Sequence, residues 1–156
     1  MSPKKSARKS TRKSSTRANT DLFTAEEKAA MKDYIKEKKA ARSGASVDNE
    51  SEVLARIAQM SPSDRALATR IHQLVKANAP MLTSRLWYGM PAYSKDDKVV
   101  CFFQGADKFK TRYATLGFSD KAKLDDGPMW PNSFAIDELT PDAETRIAAL
   151  VRKAVS

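Results

Sequence analysis

The chain has 156 residues, of which 41% are apolar and 30% are charged, and this length and balance favour a single domain. Its one cysteine and one histidine exclude an intrachain disulfide, zinc fingers and cysteine redox pairs. No apolar run approaches the roughly 18 residues that a membrane-spanning helix needs, and the opening segment lacks the apolar stretch of a secretory signal. We therefore expect a cytoplasmic protein without a membrane partner.

Residues 1–20 form a strongly basic segment. They hold seven cations and no acid, whereas residues 21–156 hold 21 cations and 19 acids. So few apolar residues cannot offset the entropy lost on ordering, which predicts a disordered tail. Mobile cations bind phosphates by releasing counterions, so we expect nonspecific contact with nucleic acid; the alternative is a terminus that only improves solubility. The predicted nucleic-acid contacts are Lys4, Lys5, Arg8, Lys9, Arg12, Lys13 and Arg17.

Residues 21–49 are predicted to hold a charged surface helix and a linker. Thr24 and Glu27 have the spacing of a capping box, and Ala, Lys and Glu dominate the residues after them. This composition favours a helix over residues 25–42. Its apolar stripe is short, so we expect the helix to lie on the surface of the domain or to project from it. The Ser-Gly-Ala-Ser segment at 43–46 is interpreted as the linker.

Two further helices are predicted between residues 50 and 80. Apolar residues on one side indicate the first of them, over about 52–59. The second begins at Ser61, because a serine hydroxyl caps free amides and Pro62 fits the first helical turn. Pro80 ends this helix.

The second half of the chain has the alternation of strands. The predicted strands are 86–93, 99–104, 109–118 and 133–136. The polar segment 95–98 joins the first two as a hairpin. The second strand is apolar on both faces, so it belongs in the middle of the sheet. With a last helix that begins near Thr140 and ends near Val155, residues 50–156 should form an α+β domain with an antiparallel sheet of about four strands.

The hairpin carries a specific resemblance. The sequence Trp-Tyr-Gly-Met-Pro-Ala-Tyr at 87–93, the apolar strand after it and the Met-Trp-Pro-Asn-Ser-Phe segment at 129–134 resemble the YdhG-like family of small bacterial domains. The resemblance covers about residues 50–156. It implies one α+β domain, and some members carry the label of a frataxin-like intracellular iron chaperone.

Cations and aromatic side chains near the third predicted strand indicate a ligand site. Lys108, Lys110 and Arg112 alternate with Phe109 and Tyr113, so on a strand the cations would project from one face. Such groups beside aromatic rings would suit a small anionic ligand or a stacked base. The competing interpretation is an ordinary strand with one wet face and one core face. The predicted ligand-binding residues are Tyr88, Tyr93, Lys110, Arg112 and Trp130.

Iron delivery is the alternative function. A hard cation such as iron needs several oxygen ligands that converge on one point. Carboxylates late in the chain could supply them, although each also fits a solvated turn or loop. The metal ligands under this alternative are Asp125, Asp126, Asp137 and Glu138. Apart from iron in this case, no cofactor is expected.

No combination of side chains predicts catalysis. Cys101 lies in the most apolar strand, where burial opposes thiolate formation. His72 sits at the edge of an apolar helix stripe, and the five glycines stand singly, so there is no glycine-rich phosphate loop. We therefore expect a non-enzymatic binding module that is a monomer or a weak homodimer.

Overall fold

The computed structural model describes residues 24–42 and 48–156; the predicted basic tail and the 43–46 linker lie outside the described residues. The chain has an α+β fold with an antiparallel sheet, as predicted. Within the described ranges, no helix has the length and apolar character that crossing a membrane requires. The helices are α1 (Ala25–Arg42), α2 (Glu50–Ala58), α3 (Pro62–Asn78), the one-turn α4 (Ala106–Phe109) and α5 (Pro141–Ala154). The strands are β1 (Thr83–Trp87), β2 (Met90–Lys95), β3 (Lys98–Gln104), β4 (Ala114–Phe118) and β5 (Ser133–Ile136).

In the described part of the chain, the sheet has five strands in the order β1-β2-β3-β4-β5, each antiparallel to the next. The prediction of one strand over 86–93 is wrong, because a two-residue turn at Tyr88 and Gly89 divides it into β1 and β2. Both turn residues have positive φ, 51° and 73°, which is the conformation of a type I′ hairpin turn. The predicted turn at 95–98 is confirmed, and Asp96 and Asp97 have positive φ there too.

The prediction of a strand over 109–118 is wrong in its first half, because β4 begins only at Ala114. Phe109 instead closes the helical turn α4, Lys110 follows it with a left-handed φ of 55°, and residues 111–113 connect it to β4. A tertiary contact explains the helical turn. The carboxylate of Asp64 in α3 accepts hydrogen bonds from the first two backbone amides of α4, as a helix cap does. The cations of this segment therefore do not line one face of a strand.

The helix boundaries follow local capping. Ser61 Oγ accepts a hydrogen bond from a backbone amide at the start of α3, and Thr140 Oγ1 does the same at the start of α5. The helix predicted over 52–59 begins earlier, at Glu50. Just before this helix, the chain pairs with the edge of β1, where the Asn49 amide donates to the Ser84 carbonyl at 2.8 Å.

Helices α2, α3 and α5 pack on one face of the sheet and form the core with it. Tyr93, Cys101 and Phe118 are cross-strand neighbours on β2, β3 and β4, so their side chains share this face, and all three are buried in the core. Phe102 points to the other face, where it lies over Gly117 and occupies the space that a side chain there would need. β3 is the central strand, as predicted.

Candidate ligand-binding cleft

A cleft of about 390 Å³ opens at the end of the sheet that carries the β1–β2 turn. One wall is the end of α2 and the start of α3; the other is the turn, the end of β3 and α4. Its apolar lining comes from Met60, Met90, Pro91, Phe103 and Phe109. The charged lining consists of two cations and two acids, Arg56, Lys108, Asp64 and Asp107. Apolar walls with a few polar groups are typical of small-molecule sites.

Asp64 fixes the wall that carries Lys108. It is buried, with 4% of its surface exposed, and its two carboxylate oxygens accept hydrogen bonds from the amides of Ala106 and Asp107 at 3.1 and 2.9 Å. A side chain at Gly105 would meet the Asp64 carboxylate at 2.8 Å, so glycine permits this close approach. The buried carboxylate therefore holds α4, and with it Lys108, against the start of α3.

The two cations converge on one carboxylate of α1. Lys108 Nζ lies 3.4 Å and Arg56 Nη1 lies 3.7 Å from Oδ2 of Asp33. Each of the three side chains is roughly one-quarter to one-third exposed, at 30%, 31% and 27% respectively. Lys108 Nζ also lies 3.5 Å from the carbonyl oxygen of Tyr88. The cations are thus positioned at the mouth of the cleft rather than free in solvent.

The β1–β2 turn adds a backbone donor to the same place. The amide of Gly89 donates a hydrogen bond to Oε1 of Glu37 at 3.0 Å. A Cβ atom at Gly89 would displace Lys108 Nζ and Asp33 Oδ2, and the φ of 73° would strain any larger residue there, so glycine favours this close approach. Burial raises the pKa of Glu37, and the backbone amides of Gly89 and Tyr88 oppose that rise.

Tyr88 holds the turn in a costly conformation. Its φ of 51° is unusual for a bulky residue and costs on the order of 1–3 kcal/mol, and such strain concentrates at functional sites. The ring of Tyr34 in α1 stacks on the Tyr88 ring, with 4.1 Å between centroids and 6° between planes. Trp87 meets the same ring edge-on at 4.9 Å. The Tyr88 ring is therefore packed between Tyr34 of α1 and Trp87 of β1.

The predicted ligand residues do not form one site. Tyr93 is 0% exposed in the core, whereas Lys110 and Arg112 are exposed in the segment between α4 and β4. Trp130 is partly buried against the core and precedes β5 at the end of the sheet opposite to the β1–β2 turn. Only Tyr88 adjoins the cleft, through its carbonyl oxygen near Lys108.

Sequence reasoning missed Arg56 as a site residue and considered Lys108 only as part of a strand. Arg56 stands on the polar side of a short helix, where a cation is ordinary. Lys108 was grouped with Lys110 and Arg112 as part of the predicted strand. Because it lies in the helical turn α4, its side chain has a different direction from the one that a strand would give it. The Gly89 of the Trp-Tyr-Gly-Met-Pro sequence was the one available signal, since a glycine in a strand pattern marks a turn or a close approach.

His72 takes part in a buried hydrogen-bonded chain that the sequence did not predict. Its Nδ1 lies 2.8 Å from the Tyr93 hydroxyl, and its Nε2 lies 2.8 Å from Oε1 of Glu50. Burial raises the pKa of Tyr93 and raises the pKa of the nearby Cys101 thiol to about 12. At neutral pH, both therefore keep their protons and act as packing and hydrogen-bonding groups.

The carboxylates named for iron are exposed and lie in two separate loops. Asp125 and Asp126 precede Gly127, and Asp137 and Glu138 follow β5. Across residues 24–42 and 48–156, no three His, Cys, Asp or Glu side chains are grouped so as to hold a metal ion. Iron binding therefore stays a sequence-based prediction.

Fold and cleft together define a small α+β protein with a largely apolar cleft, at whose mouth two cations lie beside a strained hairpin turn. No family model, no curated protein and no solved structure matches the chain. The resemblance to YdhG-like proteins therefore stays a prediction.

Proposed function

We propose that the chain is a non-enzymatic binding module whose cleft takes a small anionic ligand with an apolar body. The observation that carries this proposal is the convergence of Arg56 Nη1, Lys108 Nζ and the Gly89 amide at the mouth of the cleft. Guanidinium, ammonium and backbone amide groups are the donors that carboxylates and phosphates bind. The apolar walls behind them would bury the rest of the ligand.

Carboxylates of the chain itself already lie at the mouth of the cleft, which supports an anionic ligand rather than a neutral one. Two acidic side chains of α1 bind the two cations and the amide. These contacts show that anionic oxygen atoms fit the mouth sterically and electrostatically. A ligand with a compact anionic group can use the same donors.

Titration of the full chain with phenyl phosphate, followed by ¹H–¹⁵N NMR, tests the proposal. We expect saturable shifts of the Gly89 and Lys108 amide signals, and weaker binding of inorganic phosphate, which lacks the apolar body. The double variant Arg56→Gln/Lys108→Gln should lose at least about tenfold in affinity, since charge-assisted hydrogen bonds contribute about 1.5–3 kcal/mol each.

The matched control is Lys110→Gln/Arg112→Gln, which removes the same charge from exposed positions in the segment before β4. It should bind phenyl phosphate as the parent does. Equal loss in both double variants would reduce the effect to overall charge and contradict the proposal. The absence of any saturable shift in the parent would contradict it as well.

A second proposed activity belongs to residues 1–20, which would contact nucleic acid without sequence specificity. The supporting observation is the sequence itself, with seven cations and no acid in this segment. If about six phosphates are neutralised, binding of the full chain to generic duplex DNA should fall about a thousandfold between 50 and 200 mM salt. Replacing all seven cations by Gln should remove this binding and its salt dependence.

A charge-matched control separates the tail from the net charge of the molecule. It replaces seven exposed cations elsewhere in the chain by Gln and should keep most of the DNA binding. If the two variants bind DNA equally, the tail has no special role. The control positions are Lys95, Lys98, Lys110, Arg112, Lys121, Lys123 and Lys153.

A further inference from the structure

Helix α1 places two carboxylates on the donors of the cleft mouth. Asp33 and Glu37 are four residues apart, so they lie on the same side of the helix. Asp33 binds Lys108 and Arg56, and Glu37 accepts the hydrogen bond of the Gly89 amide. One helix therefore occupies every donor on which the proposed anion site depends.

We propose that α1 is an internal competitor for the cleft: Asp33 and Glu37 take the place of a ligand's anionic group, and the ligand binds when α1 leaves that place. This inference rests on the proposed function. It adds a regulatory device, because whatever stabilises or releases α1 then sets the affinity of the site.

The contacts that hold α1 at the cleft are individually weak, so contacts with a ligand can replace them. Among residues 25–37, whose side chains the structure describes, only Ala30 is buried, while Met31 and Ile35 are 45% and 55% exposed. Besides Ala30 and the Glu37–Gly89 hydrogen bond, the contacts that attach α1 include the Tyr34–Tyr88 ring stack and partly exposed ion pairs. Exposed ion pairs contribute only about 0–1 kcal/mol each. A ligand with a better-placed anion can displace such a helix.

The carboxylate of Glu37 also carries a desolvation cost. Burial is the largest influence on the pKa of Glu37, and it raises that pKa, so the charged form is less well solvated here than in water. Because its charge is poorly solvated, the Glu37 carboxylate is displaced more readily when another anion binds the Gly89 amide. This supports a reversible contact rather than a permanent part of the core.

Competition has a measurable consequence. When the binding-competent form is only a fraction of the molecules, the apparent affinity falls by that fraction. Removing the competing carboxylates therefore raises the affinity for the ligand. By linkage, the ligand must weaken the attachment of α1 by the same factor.

The test compares phenyl phosphate binding by the full chain and by the double variant Asp33→Asn/Glu37→Gln, with NMR as the readout. We expect the variant to bind about tenfold more tightly, within the 5–150-fold range of typical coupling between sites. In the parent, saturation with phenyl phosphate should move the Tyr34 amide signal toward its position in the variant. Tyr34→Ala, which removes the ring stack without changing the charge, should also raise the affinity.

The matched control is Asp125→Asn/Asp126→Asn, which removes two negative charges from exposed positions outside α1. It should bind as the parent does; an equal gain there would assign the effect to long-range charge and overturn the inference. If Asp33→Asn/Glu37→Gln and the parent bind equally while Arg56→Gln/Lys108→Gln does not bind, the inference fails and the proposed function stands. If no variant and no parent binds phenyl phosphate, both fail.

Discussion

At the scale of single residues, Tyr93 connects three elements through one buried polar group. Its hydroxyl is hydrogen-bonded to one ring nitrogen of His72, and the other ring nitrogen is hydrogen-bonded to Glu50. These two hydrogen bonds link β2 to α3 and α3 to α2. Tyr93 is 0% and His72 is 5% exposed. A polar group buried to this degree must keep its partner, because an unpaired buried donor or acceptor is destabilising. The single histidine of the sequence therefore has a structural role in linking these elements.

Replacing Tyr93 by Phe should lower the free energy of unfolding by about 1–3 kcal/mol, because it leaves a buried ring nitrogen of His72 without its partner. The volume of the core barely changes, so packing contributes little. Urea denaturation followed by circular dichroism measures the effect. Tyr113→Phe is the control, since Tyr113 is 41% exposed and should change stability by less than about 0.5 kcal/mol. Equal effects in the two variants would mean that the buried hydrogen bond contributes nothing.

At the scale of elements, α3 and α5 are joined by two polar contacts of different kinds. Arg70 of α3 binds both oxygens of Glu144 in α5, with N–O distances of 2.5 and 3.1 Å. Near the C-terminal ends of both helices, Arg152 of α5 donates a hydrogen bond to Oδ1 of Asn78 at 2.6 Å. The hydrogen bond from Arg70 lowers the pKa of Glu144. The first contact therefore depends on pH in the acid range, whereas the second has an acceptor that does not titrate.

The stability that Arg70 contributes should disappear in acid. A carboxyl whose pKa is lower in the folded than in the unfolded state stabilises the fold above its unfolded pKa, and this contribution is lost as the pH falls through the folded pKa. The parent and Arg70→Met should therefore differ in free energy of unfolding at pH 7 and converge toward pH 3. Arg152→Met is the control, because its difference from the parent should not depend on the titration of an acceptor. A difference for Arg70→Met that stays constant down to pH 3 would contradict the prediction.

Elements also show where sequence patterns are reliable. The bounds of α1 match the prediction over 25–42, since capping and composition act within a few residues of chain. The predicted strands 86–93 and 109–118 fail where a neighbour in space decides the backbone. Tyr88 keeps its left-handed conformation while stacked on Tyr34, and Asp64 from α3 induces the helical turn α4.

At the scale of the whole molecule, the cleft and Trp130 lie at opposite ends of the sheet. The cleft lies beside the β1–β2 turn. Trp130 precedes β5 at the opposite end and packs against the core. A change at Trp130 should therefore alter stability without altering the cleft. This separation allows stability and ligand binding to be measured independently.

Trp130→Ala should lower the free energy of unfolding by about 2 kcal/mol, less than the 3–5 kcal/mol of a fully buried tryptophan, because the ring is only partly buried. Its affinity for phenyl phosphate should equal that of the parent, as measured by the same NMR titration. A loss of binding in a variant that remains folded would place Trp130 in the ligand site, as the sequence first indicated. A stability change below about 0.5 kcal/mol would show that the ring does not support the core.

The amino-acid sequence by itself determined the α+β class, the main helices and the separation of a basic segment from a nearly charge-balanced body. These properties depend on composition and on residues close together in the chain, such as caps, turns and alternating apolar positions. Only the tertiary structure decided the cleft. Lys108 and Asp33, which meet at its mouth, are 75 residues apart in sequence, and neither has a neighbour in the chain that indicates the other. Local sequence patterns do not predict this contact, because it forms only when α1, α2 and α4 pack around the β1–β2 turn.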